Sequence, residues 1–285
     1  MTTPASADRR YRIPTVVGAL AVRVIGDGPP AVLWHSLFVD SRSWQRMVPE
    51  LATRRRLVLV EGPGHGASGD PGRPYTNEEC TEAAVAVLDD LDLREPVDWV
   101  GNAWGGHLGT ILAATHPERC RSLVALGTPV AGLTTAERAR THLLLGLHRL
   151  IGARGPVVQG ATNVLLSGHT RSHDPEAVAL VGECLRRAEP HMLRNAVASV
   201  SLHRTDQTPY LRRIEQPTML VTGAEHHGYL PEQARAAAGL LRRGRVEVVP
   251  DAAYLIPLEA PAQAAALVLD FWAALERDAG ATPPD

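Results

Sequence analysis

The sequence predicts an α/β fold, a mostly parallel sheet covered by helices on both faces and interrupted by one inserted helical segment. Three observations predict it. Short, continuous apolar runs alternate with helical patterns, as strands buried on both faces do. The alternation stops at Gly127-Thr128-Pro129, and from about residue 131 to 214 the pattern is helical with no strand. Strand and helix then resume at Thr218. The chain has 285 residues, 45% apolar and 21% charged, enough for a large buried core.

Taken in order, residues 15–25 alternate weakly and end in Gly26-Asp27-Gly28-Pro29-Pro30, which reads as one or two edge strands and a turn. Ala31 to Trp34 is a buried strand, after which Asp40 or Ser41 caps a helix to about Thr53. Leu57 to Val60 is the next strand and ends in a glycine-dense turn, Glu61 to Ser68. Asn77 caps a helix to about Leu91, with Ala84, Val87 and Leu88 on one face. A strand from Val97, its helix, and a strand from Ser122 to Leu126 follow. After the inserted helices come a strand at Thr218–Thr222, a helix from Pro231 to about Leu241 and a strand at Val246–Val249. Pro261 opens a last helix to about Arg277, leaving 279–285 as a frayed tail. The core therefore comprises 1–130 and 213–285, with 131–212 as a lid.

The densest motif is Gly101-Asn102-Ala103-Trp104-Gly105-Gly106, placed where a strand runs into a helix. It has the form of a nucleophile elbow, G-x-S-x-G, whose glycines permit close backbone approach at a sharp turn. The nucleophile position holds Ala103, which has no lone pair and no proton to give.

Together these motifs resemble the α/β-hydrolase superfamily, in its lidded branch of C–C hydrolases, enol-lactonases, esterases and cofactor-free haloperoxidases. His35-Ser36-Leu37-Phe38 is similar to the family's H-G-x-G oxyanion segment without its glycines, and Gly62 to Ser68 resembles its G-x-G-x-S loop. Gly223-Ala224-Glu225-His226 aligns with the G-x-x-D segment of the family's acid, with His226 in place of Asp. Pro250 to Pro261 aligns with P-G-A-G-H-x-P-x-x-E-x-P, with Tyr254 in place of His. The resemblance thus implies the fold but matches none of the three triad side chains. It assigns an oxyanion hole to the backbone amides of Leu37 and Trp104, which side-chain replacement does not remove. It also gives His35 a bracing role under the oxyanion loop and places His65 and Ser68 in a structural turn.

A pocket with an oxyanion hole, a histidine and a tyrosine but no nucleophile suits acid–base chemistry beside a carbonyl. The leading expectation is a non-hydrolytic enzyme performing cyclisation, isomerisation, elimination or C–C bond chemistry on a largely apolar molecule of secondary metabolism. His226 and Tyr254 are the candidates for chemistry, and His35, Ser36, Phe38, Asn102, Thr128, His227 and Tyr229 for substrate contact. His107, on the helix after the elbow, reads as core or as a support behind the site. Two alternatives stand: a ligand-binding protein with a degenerate site, and a hydrolase using water activated by His226. A hydrolase with its serine deliberately replaced at position 103 is disfavoured, because positions 226 and 254 differ too. No metal or organic cofactor is implied, since no ligand cluster or nucleotide-binding G-x-G-x-x-G occurs. The lid histidines, His142, His148, His169, His173, His191 and His203, share no metal spacing. A net charge of −2 gives no case for nucleic acid or an anionic membrane. Three scattered cysteines and a polar start suggest a cytoplasmic protein, and a homodimer is compatible with the sequence.

Overall fold

A computed structural model describes residues 8–281. Eight strands form one sheet: β1 (Arg9–Thr15), β2 (Gly18–Ile25), β3 (Pro30–Trp34), β4 (Arg56–Val60), β5 (Val97–Asn102), β6 (Cys120–Leu126), β7 (Thr218–Gly223) and β8 (Gly244–Val249). Their order is β1-β2-β4-β3-β5-β6-β7-β8. β1, β2 and β4 pair antiparallel, and every pairing from β4 to β8 is parallel.

Alternation along the central strands divides the core between two faces. Val32 and Trp34, Val58 and Val60, and Leu123 and Ala125 belong to one apolar cluster. Their neighbours Leu33, Leu59 and Val124 belong to another, with Trp44, Met47, Phe271 and Trp272. The first face is covered by α2 (Asn77–Asp90) and α3 (Trp104–Thr115), the second by α1 (Val48–Leu51) and the terminal helix α12 (Pro261–Ala281). Asp98 is the one carboxylate in the buried run of β5. It accepts from Arg55 Nε at 2.8 Å, Arg121 Nε at 2.9 Å and Ser122 Oγ at 2.6 Å, so its charge is paired.

Between β6 and β7 lie α4 (Thr135–Ile151), α5 (Gly155–Leu165), α6 (Gly168–His173), α7 (Pro175–Arg187), α8 (Pro190–Val197) and α9 (Thr208–Leu211). This stretch is not helical throughout: α8 runs into a π turn at Ala198–Leu202, and 204–207 is irregular. After β7 come α10 (Pro231–Ala238) and, beyond β8, a short α11 (Ile256–Glu259) inside what reads from sequence as a loop.

Several boundaries differ from the sequence reading. The first edge strand begins at Arg9, because pairing with β2 orders a polar segment that has no apolar signal of its own. The helix expected to follow Asp40 is a 3-10 turn, Ser41–Trp44, then α1, since Pro49 removes a backbone donor. Thr76, not Asn77, caps α2. Its hydroxyl accepts from the Glu79 amide at 3.0 Å while Glu79 accepts from the Thr76 amide at 2.9 Å, a reciprocal pair that fixes the helix start. α12 continues to Ala281, so only 282–285 of the expected tail lie outside the described residues.

The β5–α3 turn is the tightest packing in the molecule. A Cβ on Gly101 would stand 2.1 Å from the Gly105 carbonyl carbon, and one on Gly105 would stand 2.0 Å from the Trp34 oxygen. Gly105 N–H donates to His35 O at 3.2 Å, so the elbow is pinned to the end of β3. Gly105→Ala should therefore destabilise the fold by about 2–4 kcal/mol, because both contacts are rigid backbone. Urea denaturation checks this, and a loss under 0.5 kcal/mol (about the scatter of ordinary surface changes) contradicts the packing described.

Candidate functional site

The centre of the site is Ala103, 3% exposed, with φ 47° and ψ −99°. A residue with a Cβ held there costs roughly 1–3 kcal/mol. Two backbone bonds hold it: Ala103 N–H donates to Leu126 O at 2.8 Å, and Ala103 O accepts from His107 N–H at 3.0 Å. Trp104 is the first residue of α3, so its amide has no helical carbonyl to pair with. Leu37 is buried, and Phe38 turns the chain at φ 71° behind it.

His35 is engaged at both ring nitrogens. Nε2 accepts from Gly62 N–H at 2.9 Å, so Nδ1 carries the proton and donates to Ser36 O at 2.7 Å. Burial pushes its pKa down and keeps it neutral. The ring joins the oxyanion segment to the Gly62 turn and has no nitrogen left for a ligand. Ser36 Oγ donates to Leu37 O at 3.3 Å within the same loop. The Trp104 ring lies among Trp34, His35, His65 and Tyr75, with centroids 5.3 to 6.5 Å away, so it packs against the core. His65 is buried, with its pKa pushed down to about 3, mainly by desolvation.

Asn102 and Thr128 tie the strand ends together. Asn102 Nδ2 donates to Leu126 O and to Tyr254 O, both at 2.9 Å. Thr128 Oγ1 donates to Leu126 O at 3.1 Å and approaches Ala103 O at 3.4 Å. The elbow, the β6 end and the segment after β8 are thus joined through backbone groups at the base of the site.

His226 and Tyr254 meet there, with ring centroids 4.2 Å apart. His226 is 1% exposed. Its Nδ1 accepts from Gly228 N–H at 3.1 Å, so in the neutral ring Nε2 carries the proton. That Nε2–H is buried without a hydrogen-bond partner. Burial pushes the His226 pKa down to about 4, although the Gly127 carbonyl, near the ring but outside good hydrogen-bond geometry, favours the protonated form. Tyr254 is held in place by its neighbours: Ala253 N–H and Leu255 N–H both donate to Glu259 Oε1 at 3.0 Å. Glu259 Oε2 accepts from Ser167 N–H at 2.6 Å and Thr170 Oγ1 at 3.1 Å, so one half-buried carboxylate joins the Tyr254 segment to α6. Burial raises the Tyr254 pKa, opposed by the neighbouring Arg204 guanidinium, and the phenol stays protonated.

Tyr229 sits 6.2 Å from His226 with its hydroxyl buried and unpartnered. His227 is exposed beside it. Arg204, from the irregular segment before α9, reaches the same place: Nη1 is 3.2 Å from His107 Nε2 and Nη2 donates to Ala131 O at 2.7 Å. Arg204 and Glu259 are the members that sequence reasoning missed. Arg204 lies in a stretch with no motif, and only folding brings it 97 residues back to His107. Of the histidines on the inserted helices His148 is buried, while His142, His169, His173, His191 and His203 are exposed. Among the described residues no group of three or more His, Cys, Asp or Glu could hold a metal, and no helix is long and apolar enough to cross a membrane.

The family described as alpha/beta hydrolase fold matches residues 29–261. The chain is 28% identical over 245 residues to a pimeloyl-[acyl-carrier protein] methyl ester esterase of Neisseria meningitidis, covering 84% of this chain and 91% of that one. It is 24% identical over 205 residues to 3-oxoadipate enol-lactonase 2 of Acinetobacter baylyi, covering 70% and 72%. Among solved structures, a thermophilic esterase from Thermogutta terrifontis superposes with a TM-score of 0.85 at 22% identity, over 93% of this chain and 98% of that one. The enol-lactonase from Burkholderia xenovorans LB400 gives 0.84 at 20%, over 92% and 100%. Those two likenesses carry the fold.

A histidine held neutral by burial makes stability depend on pH. His226 titrates near 4 when folded and near 6.5 when free, so the unfolded chain binds the extra proton between those values. Its contribution, about 3 kcal/mol in all, is complete above pH ~6.5 and lost as pH falls toward 4. In urea titrations at pH 7 and pH 5, His226→Gln should lose about 2 kcal/mol less stability than the unaltered protein. Equal losses contradict a buried, neutral His226.

Proposed function

The chain belongs to the α/β-hydrolase family, and from that premise we propose that it is a non-hydrolytic member whose site stabilises an oxyanion or enolate. The observation that carries this reading is the state of His226. Its lone pair is occupied by Gly228 N–H and its remaining nitrogen is a donor. Such a ring supplies a hydrogen bond, and it does not take a proton from water. This disfavours hydrolysis by His226-activated water. Ala103 offers no side chain for an acyl-enzyme.

What remains is a set of donors. The Tyr254 phenol stands beside the His226 ring, and the amides of Leu37 and Trp104 face the elbow by family resemblance. An oxyanion-hole donor contributes roughly 3–4 kcal/mol to a developing negative charge. With Tyr254 as proton donor, the arrangement suits cyclisation, isomerisation, elimination or C–C chemistry next to a carbonyl. The inserted helices act as a lid over it, and the ligand is a largely apolar carbonyl compound, such as an intermediate of secondary metabolism. No cofactor is needed for such steps.

The test is comparative metabolite profiling of the source strain with and without the gene, followed by incubation of purified protein with whatever accumulates. A product of equal mass, or one lighter by a small fragment, is expected. Tyr254→Phe should lower turnover at least about a hundredfold, the usual minimum for loss of a general acid, with little change in ligand affinity. Tight binding without conversion makes the protein a carrier or receptor. Equal effects on turnover and affinity remove Tyr254 from the chemistry.

A further inference from the structure

We propose that Arg204 anchors an anionic group of the ligand, a carboxylate, in the Ala103 site. This deepens the preceding reading and rests on it.

Among the described residues the Arg204 guanidinium is the permanent cation whose charge reaches both His226 and Tyr254, while His227 acts on His226 alone. The guanidinium's own bonds are few. Nη1 meets His107 Nε2 at 3.2 Å, Nη2 donates to Ala131 O at 2.7 Å, the Tyr254 hydroxyl is a hydrogen-bonding neighbour of the guanidinium, and Nε is buried with no partner. Among the described residues no carboxylate lies within ion-pair distance of it. Three other arginines with little exposure have carboxylate partners. Arg55 pairs with Asp98 and Glu276, Arg46 with Asp174 and Glu176, and Arg119 with Asp89. Glu137 is the acidic group on the Tyr254 side. Its Oε2 is taken by Thr134 N–H and Thr134 Oγ1, both at 2.8 Å, at the start of α4.

A cation with an orphaned, buried N–H is costly unless something neutralises it. The groups around it specify what fits. A guanidinium presents five N–H donors in a plane, and here its Nε–H is left without a partner. The Tyr254 hydroxyl and the His226 Nε2–H add two neutral donors to the same locus. These donors, one of them charged, match a carboxylate better than an ester or amide, whose N–H or alkoxy group would leave a donor unpaired.

Isothermal titration calorimetry with matched probes tests this: phenylacetate and octanoate against phenylacetamide and octanamide. The carboxylates should bind at least about tenfold more tightly than the amides, as expected for charge-assisted bonds. Arg204→Gln should remove that difference by weakening the carboxylates alone. Arg204→Lys should restore part of it, and Arg242→Gln, at an exposed arginine paired with Glu215, should change nothing. Unliganded melting temperatures establish that each variant is folded. Equal binding of acids and amides, unaltered in Arg204→Gln, overturns the anchor and leaves the pocket reading intact. Failure of all four probes to bind overturns the pocket reading and the anchor with it.

Discussion

The structure depends on how closely α3 can approach β3 and β5. With Gly101 and Gly105 in place, the turn between β5 and α3 closes onto the end of β3, and Gly105 N–H reaches His35 O. That closure leaves Ala103 at φ 47°, a conformation with a real cost for a residue with a side chain. The surrounding bonds over-determine it. At the place where a nucleophile elbow carries its nucleophile, this turn carries the buried methyl group of Ala103. What the geometry still offers is the first amide of α3 and a floor onto which three loops converge.

Those loops have been refitted with groups that donate hydrogen bonds. Family resemblance places an acid and a base after β7 and β8. This chain places His226 and Tyr254 there, and the fold keeps both neutral, the first by burial and the Gly228 amide, the second by burial. Arg204 adds a positive charge from the segment between the inserted helices and β7. Two neutral donors and one cation favour a negatively charged oxygen wherever it arises. The half-buried Glu259 is a structural counterpart, because it fixes the backbone on both sides of Tyr254 and couples it to α6.

Much of the fold was legible in the sequence because its signals are local. Apolar runs such as Leu57–Val60 and Leu123–Leu126 mark strands buried on both faces, and the glycines of the elbow mark a turn that admits no Cβ. β1 was less legible because its order comes from pairing with β2. The cap of α2 was misplaced by one residue, since Thr76 and Asn77 are both good caps and only the reciprocal bond to Glu79 separates them. The site was legible where it lay in a motif: Ala103, His226 and Tyr254 each occupy a recognisable loop. Sequence could not say that His35 is engaged at both nitrogens, that Asn102 is spent on backbone carbonyls, or that Arg204 joins the group. Each of those facts depends on a contact between distant segments.

The central claim is that no base stands ready at the elbow. The most direct measurement is intact-mass analysis of the Ala103→Ser variant after exposure to a fluorophosphonate, which labels a serine only when a neighbouring base activates it. The account predicts no mass increase, because the His226 lone pair is occupied and Tyr254 is a protonated phenol. Rapid, stoichiometric labelling at position 103 would show a working base beside the elbow and return the protein to the hydrolases.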